Sequence, residues 1–262
     1  MKKLNIQDIK ASKNIKKISM ITAYDGVFAK LFDGNIDIIL VGDSLNMSFA
    51  NKNDTISTTL KQMIYHTNAV CSTVEESFVV CDMPFGSVTT KQKALKSAIK
   101  VYKKTNADAI KIEGGKNMAT TIEYLTSQNI ACMGHIGLMP QVSRAQGGYK
   151  VRGKDENDIA TLIEDAKAIE KAGVFAIVLE GVKADIAKHI TKAVSVPIIG
   201  IGAGCDVDGQ VLVWSDMFGF NDGFMPKFVR VYMDGATLIK ESLNKFTQDI
   251  KSGDFPSKNE VY

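Results

Sequence analysis

Read for hydrophobic and polar positions, the chain alternates between two patterns. Short unbroken apolar runs end abruptly in a charged or hydroxyl group, and longer stretches repeat apolar residues every three or four positions. The clearest run is Ile38-Ile39-Leu40-Val41-Gly42-Asp43-Ser44, the signature of a buried parallel strand whose C-terminal tip faces a site. The same shape recurs at Phe78 to Asp82, Ala109 to Glu113, Ala131 to His135 and Phe175 to Glu180. Further strands are expected at Ile18 to Ala23, from Val196 into the glycine turn at Gly200 to Gly204, and at Gln210 to Trp214.

Between the strands the period changes. Leu60, Met63, Ile64, Thr67, Cys71 and Val74 draw one stripe along a helix of about four turns. Ala94, Leu95, Ala98, Ile99 and Tyr102 form another, and Ile159, Leu162, Ile163, Ala166 and Ile169 a third, closed by Gly173 in the position a C-terminal cap prefers. Helices are also expected over Val27 to Phe32, Met118 to Ser127, Asp185 to Ala193 and, largely, Pro226 to Ile250. Pro84 should stop the third strand and expose the tip of Asp82. Asn46 to Ser57 and Met139 to Asp155 lack any period; the second is long enough for a lid or binding loop. Eight strands alternating with helices predict an α/β fold, a (β/α)8 TIM barrel preceded by a short N-terminal helical segment, with residues 1–262 as one domain.

Length fits that architecture, since 262 residues is the size of one such barrel. Apolar residues at 45% and charged residues at 23% argue against disorder, and a formal charge of +3 is too small to indicate nucleic acid. The early lysines (Lys2, Lys3, Lys10, Lys13, Lys16, Lys17) alternate with Leu4, Ile6, Ile9 and Ile15 and are expected to form the solvated face of a short helix. No secretory h-region follows them and no run approaches a membrane span, so a cytoplasmic location without membrane association is expected. Cys71, Cys81, Cys132 and Cys205 show no C-x-x-C spacing and are expected as reduced, buried thiols. The glycine turn is not a dinucleotide fingerprint, because the third glycine position holds Cys205.

In a parallel barrel the chemistry sits at the C-terminal strand ends, which would put Asp43, Asp82, Glu113, His135 and Glu180 on one face. Lys111 and Glu113 are two apart in a strand and point the same way. Singly, each residue has an ordinary explanation: a helix cap, a structural ion pair, a satisfied core histidine. Together they form an acid cluster that a cation or protons must neutralise. Oxygen ligands at Asp43 and Asp82 suit a hard divalent ion such as Mg2+; Zn2+ or another divalent ion is the alternative if His135 coordinates directly. Ser44 offers a hydroxyl to a substrate carboxylate, Lys111 adds positive charge, and Glu180, two strands from Glu113, is a candidate base.

These residues lie in blocks that resemble the ketopantoate hydroxymethyltransferase family: Thr22-Ala23-Tyr24-Asp25, Val41-Gly42-Asp43-Ser44-Leu45, Asp82-Met83-Pro84-Phe85, Lys111-Ile112-Glu113-Gly114-Gly115, Met133 to Leu138, Gly147 to Val151, Gly200 to Gly204 and Asp208 to Val213. The resemblance runs from near residue 18 to the tail. It implies a (β/α)8 enzyme of pantothenate synthesis that transfers a one-carbon unit from 5,10-methylenetetrahydrofolate to 3-methyl-2-oxobutanoate, as a cytoplasmic homo-oligomer, a decamer of two five-membered rings. It also implies roles: Asp43, Asp82 and Glu113 at the metal; Asp43, Ser44, Asp82, Lys111 and His135 at the substrate; Glu180 as proton acceptor. Asn46, Val88 and Asn51-Lys52-Asn53 depart from the family pattern, which has glycine, tyrosine and a more glycine-rich turn there. Two alternatives stay open, a metal-dependent C–C lyase acting on an oxoacid and an inactive scaffold of the same fold.

Overall fold

A computed structural model describes residues 3–221, 223 and 225–262. The chain divides into two compact units, Met1–Val213 and Trp214–Tyr262. The first contains eight parallel strands closed into a barrel in chain order: β1 (Ile18–Thr22), β2 (Ile38–Val41), β3 (Phe78–Asp82), β4 (Ala109–Glu113), β5 (Cys132–Gly137), β6 (Ala176–Glu180), β7 (Ile198–Ile201) and β8 (Gly209–Leu212). Helices α1 (Ile6–Ala11), α2 (Gly26–Phe32), α3 (Leu45–Ser48), α4 (Leu60–Cys71), α5 (Lys91–Lys104), α6 (Ala119–Ser127), α7 (Glu156–Lys171) and α8 (Ala184–Ala193) fall between or before the strands. The (β/α)8 TIM barrel expected from the sequence is therefore the fold.

Side-chain alternation decides what the barrel holds. Residues two apart on one strand share a face, and Ile18, Met20, Ile38, Leu40, Phe78, Val80, Ala109, Met133, Ala176, Val178, Ile199 and Val211 form one buried cluster with Ile9 of α1. Following those columns toward the C-terminal ends, Phe78 and Val80 lead to Asp82, Ala109 to Lys111 and Glu113, Met133 to His135, and Ala176 and Val178 to Glu180. The interior is apolar for two layers and charged above them. Helix α1 contributes Ile9 to this core and is started by a capping box in which Asn5 accepts from the Gln7 and Asp8 amides and Asp8 accepts from the Asn5 amide.

Local chemistry starts and stops the outer helices as the pattern predicts. Asp25 caps α2 by accepting from Val27 and Phe28 amides, Thr59 and Gln62 form a capping box on α4, and Asp155 accepts from the Asp158 amide on α7. Gly173 ends α7 at φ +96°, and a Cβ there would crowd Thr126 at 3.1 Å.

Several expectations need correction. Strand β5 runs to Gly137, so His135 lies within the strand and not at its tip. The irregular segment from Asn46 contains the end of α3, and the long connection after β5 contains a short 3-10 turn, Pro140–Val142. The last strand stops at Leu212, and Trp214 begins helix α9 (Trp214–Met217). In the second unit the helix expected over Pro226 to Ile250 is α10 (Gly235–Ser252), because Asp234 caps it by accepting from the Thr237 amide. Within that unit Phe246 and Phe255 pack edge to face at 5.5 Å. All four cysteines are free, but Cys205 is exposed and Cys71 half-buried, so only Cys81 and Cys132 are the buried thiols expected. Burial pushes both of those up to about 12.

The N-terminal lysines are not simply a solvated face. Lys3, Lys13 and Lys16 each pair with an aspartate, Asp108, Asp208 and Asp37 respectively, and Lys17 donates to the Val207 carbonyl. Ile15, expected on the apolar side of that segment, is exposed, and Lys2 lies outside the described residues. Among the described residues no helix is long and apolar enough to cross a membrane.

Candidate active site

The register of the sheet brings the charged groups together in pairs. Asp82 on β3 is the Cα partner of Lys111 on β4, and Glu113 on β4 is the partner of His135 on β5. Glu180 on β6 pairs with Gly137, one inward step beyond His135. Gly137 is required at this point: its φ is +97° and a Cβ would lie 2.2 Å from the Glu180 carbonyl oxygen.

Distances follow from that register. Lys111 Nζ lies 3.0 Å from Asp82 Oδ2 and 3.0 Å from His135 Nδ1. His135 Nδ1 is also 3.5 Å from Glu113 Oε1, and Nε2 is 3.3 Å from Glu180 Oε2, close enough to feel its charge but not aligned as a hydrogen bond. The ring nitrogen Nδ1 thus has a partner in either protonation state: a neutral ring accepts from Lys111, and a protonated one turns its N–H to Glu113. The Asp43 amide donates to Asp82 Oδ2 at 3.3 Å, which places Asp43, in the turn after β2, against the same carboxylate. Lys111 and Glu113 face the same interior as expected, yet the nearest acid to the ammonium is Asp82.

Electrostatics separates these groups. Burial, then the charges of Asp82 and Glu113, push the Asp43 carboxyl well above its usual range. Burial also raises Asp82 despite the adjacent Lys111. Glu113 behaves differently: burial pushes it up, but hydrogen bonding and charge from His135, with Lys111 and the Gln141 amide, hold it below its ordinary value. Burial lowers Lys111, and Asp82, Glu113 and Asp43 together more than reverse this, so the ammonium stays charged. Burial and Lys111 push the His135 imidazole down while Glu113 and Glu180 push it up, and the acids prevail. Glu180 stands apart by access, its side chain 20% exposed where those of Asp82, Lys111, Glu113 and His135 are 2–3% exposed.

Asp82 Oδ1 is buried and has no hydrogen-bond partner among the described residues. A buried, unpartnered oxygen beside a second carboxylate whose ionisation is suppressed is what a hard cation relieves. No cluster of three or more His, Cys, Asp or Glu among the described residues is arranged to ligate an ion by itself. Asp43 and Asp82 could hold a hard cation whose remaining positions are filled by water or substrate oxygens.

Ser44 follows Asp43 and shares a hydrogen bond with the Tyr24 hydroxyl at 2.9 Å; Ser48 donates to that same hydroxyl at 3.0 Å. Tyr24 is fully buried, and nothing in its sequence context gave it a place in the site beyond its resemblance block. Gln141 is a second such residue. Its side-chain amide donates to Asp43 Oδ2 at 2.8 Å and to the Met83 carbonyl at 2.9 Å, and its backbone N–H donates to Glu113 Oε2 at 3.1 Å. The available signal was a polar residue just after Pro140, inside a connection too long to be a simple turn. That connection also reaches the loop after α3, where Arg144 donates to Asp54 Oδ2 at 2.6 Å. Asn46 occupies a buried site there, bonded to the Asp54 carbonyl and to Ser57. Asn51 takes φ +52°, which asparagine tolerates in place of glycine.

A closed parallel barrel that gathers four acids, a lysine and a histidine at the C-terminal ends of its strands has the architecture of an enzyme acting on a small molecule. The family model described as ketopantoate hydroxymethyltransferase matches residues 3–258. A 3-methyl-2-oxobutanoate hydroxymethyltransferase of Aliarcobacter butzleri is 62% identical over 260 residues, spanning 99% of this chain and 97% of that protein. One of Wolinella succinogenes is 57% identical over 262 residues, all of both chains. The chain belongs to the ketopantoate hydroxymethyltransferase family, a family of hydroxymethyl-transferring enzymes. Among solved structures, a phosphonopyruvate hydrolase complex with oxalate and Mg++ superposes with a TM-score of 0.61 at 14% identity, covering 98% of this chain and 93% of that one. A 2,3-dimethylmalate lyase of the PEP mutase/isocitrate lyase superfamily gives 0.59 at 12% identity, covering 98% and 91%. At these identities the likeness is one of fold.

Proposed function

We propose that the chain transfers a hydroxymethyl group from 5,10-methylenetetrahydrofolate to 3-methyl-2-oxobutanoate, giving 2-dehydropantoate, with Glu180 as the base. The observation that carries this assignment is the division of labour among the acids. Asp43, Asp82 and Glu113 are buried together around Lys111, whereas Glu180 is more accessible and meets that group through His135. Asp43 and Asp82 would hold a divalent cation, with Glu113 as the third acid of its surroundings. When bound, that ion supplies Lewis acidity that makes the hydrogen next to a keto group removable. Magnesium suits these oxygens better than zinc, since the close contacts of His135 are with Lys111, Glu113 and Glu180.

The chain's own groups then have defined tasks. Ser44 and Lys111 receive the oxoacid's carboxylate and keto oxygens with a hydroxyl and a fixed positive charge. Glu180 removes the C3 proton. His135 holds Glu180 by charge and separates it from the cluster beneath. The C3 carbanion equivalent bonds to the methylene carbon of the folate as one of that carbon's two bonds to nitrogen breaks, and a water oxygen replaces the other nitrogen as the hydroxyl; the two folate nitrogens take up the proton removed from C3 and the proton released by the water. Family resemblance supports a cytoplasmic homo-oligomer, a decamer, which analytical ultracentrifugation of the purified chain tests.

The direct test is proton exchange. Incubated with 3-methyl-2-oxobutanoate and magnesium in deuterated water, the protein should wash out the C3 proton seen by NMR without folate, and form product once folate is added. Glu180→Gln should slow both by about 10²- to 10⁴-fold while substrate still binds. Exchange at the wild-type rate in that variant removes Glu180 from the role of base. Release of product without any folate would instead favour a lyase.

A further inference from the structure

The geometry points to Gln141 as a positioning residue that sets the rotation of the Asp43 carboxylate and so prepares the acid cluster for its cation. This inference rests on the cation reading above. Gln141 is buried in the Pro140–Val142 turn, outside every barrel strand, yet it touches two of the three acids around Lys111. Both side-chain contacts, Asp43 Oδ2 and the Met83 carbonyl, are acceptors. The amide nitrogen must therefore face them, and a flipped amide would set oxygen against oxygen. With both N–H groups committed, the side chain is fixed at two points, and Asp43 is fixed with it.

The other acids take backbone N–H groups or the ammonium of a strand residue. Asp82 Oδ2 takes Lys111 from the neighbouring strand and the Asp43 amide, and Glu113 Oε2 takes the Gln141 backbone N–H. Asp43 is the exception, since it lies in a turn, and the side-chain donor that orients it comes from a loop. Donors of this kind orient a metal ligand without touching the ion, and their removal characteristically weakens metal affinity by about 10- to 100-fold. The turn containing Gln141 leads directly to Arg144 and its pairing with Asp54, so the long connection after β5 is tied at one end to the loop after α3 and at the other to the acids.

The test uses the intact protein and Mg2+ alone. Gln141→Met retains length and the backbone N–H but loses both side-chain donors; Gln141→Ala removes the side chain without adding a group. Titration calorimetry should show the Mg2+ Kd rising about 10- to 100-fold in both, while the thermal midpoint measured without metal changes little. Raising Mg2+ should restore kcat, which general structural damage would not allow. A Kd equal to wild type in folded Gln141→Met, or a shift in one variant only, overturns the positioning role and leaves the cation reading standing. Failure of the wild-type protein to bind Mg2+, or undiminished binding by Asp43→Asn, overturns the cation reading and this inference together.

Discussion

At the N-terminal rim of the barrel, Asp37, Asp108 and Asp208 each stand one residue before a strand, β2, β4 and β8. Each accepts from a backbone N–H on the preceding strand: Ser19 at 2.9 Å, Val79 at 2.8 Å and Ile198 at 2.8 Å. Each also takes one lysine from the N-terminal segment, Lys16, Lys3 and Lys13. At the C-terminal rim the same residue types are arranged to the opposite effect. Two aspartates and a glutamate crowd one lysine, an Asp82 oxygen has no partner among the described residues, and the Asp43 carboxyl is raised by burial and by its neighbours. One rim spends its charges on binding strands together, and the other stores unfavourable electrostatics that a ligand can relieve.

If that contrast is right, removing an aspartate should have opposite signs at the two rims. The largest stability effect is expected at Asp208, which is buried with Lys13 at 2.8 Å and also accepts from the Asn14 amide at 3.2 Å. Asp208→Ala leaves the Lys13 ammonium with the Thr191 carbonyl alone and the Asn14 and Ile198 amides without their acceptor, and should cost about 1–3 kcal/mol in a urea unfolding experiment. A loss no larger than that of an exposed pair would show the N-terminal rim to be ordinary surface.

Asp43→Asn should do the reverse in the metal-free protein. The folded pKa of Asp43 is raised, so the folded state prefers the protonated form, and ionisation burdens the fold at every pH above that raised value. The neutral amide removes the burden and should stabilise by ~0.5–2 kcal/mol near neutral pH. The gain should disappear as pH falls below the unfolded value of about 3.9. Thermal melts with chelator at two pH values check this, and destabilisation at neutral pH would mean that the carboxylate is a structural acceptor for Gln141 and nothing more. The same variant should lose activity.

The two rims also differed in how far the sequence exposed them. Apolar runs ending in Asp82, Glu113 and Glu180 named the C-terminal rim directly, because strand periodicity carries an inward residue to the tip and the family blocks fall on those tips. The pattern puts His135 at a strand tip although β5 continues to Gly137, since Gly134 and Gly137 mask the continuation. Gln141 and Tyr24 were not legible as parts of the site. Their contacts depend on how a loop and a turn return across the barrel mouth, and no local period encodes that return. The lysines of the N-terminal segment gave the reverse error. Their spacing resembled a solvated face, and their aspartate partners lie from 21 to 195 positions away. The end of β8 is hidden in the sequence because Val213 and Trp214 continue the apolar run past Leu212, where the strand ends.

The smallest effect is also the most specific check on the N-terminal rim. Lys16 is half-exposed and pairs with Asp37 at 3.3 Å, so Lys16→Ala should cost only about 0.2–1 kcal/mol at pH 7. Its pH dependence has a fixed sign. Burial pushes the Asp37 carboxyl up, but the Ser19 amide and hydroxyl, with Lys16, bring it below its ordinary value. A lowered folded pKa means that stability is fully present above the unfolded value of about 3.9 and is lost as pH falls through the folded one. The difference between wild type and Lys16→Ala should therefore be constant from pH 7 to about 5 and close below about 3.9, as the carboxyl that the lysine pairs with is protonated. A difference that persists undiminished at acid pH would mean that Lys16 stabilises the barrel through packing of its aliphatic stem, and that the pairing of arm lysines with pre-strand aspartates is incidental at this position.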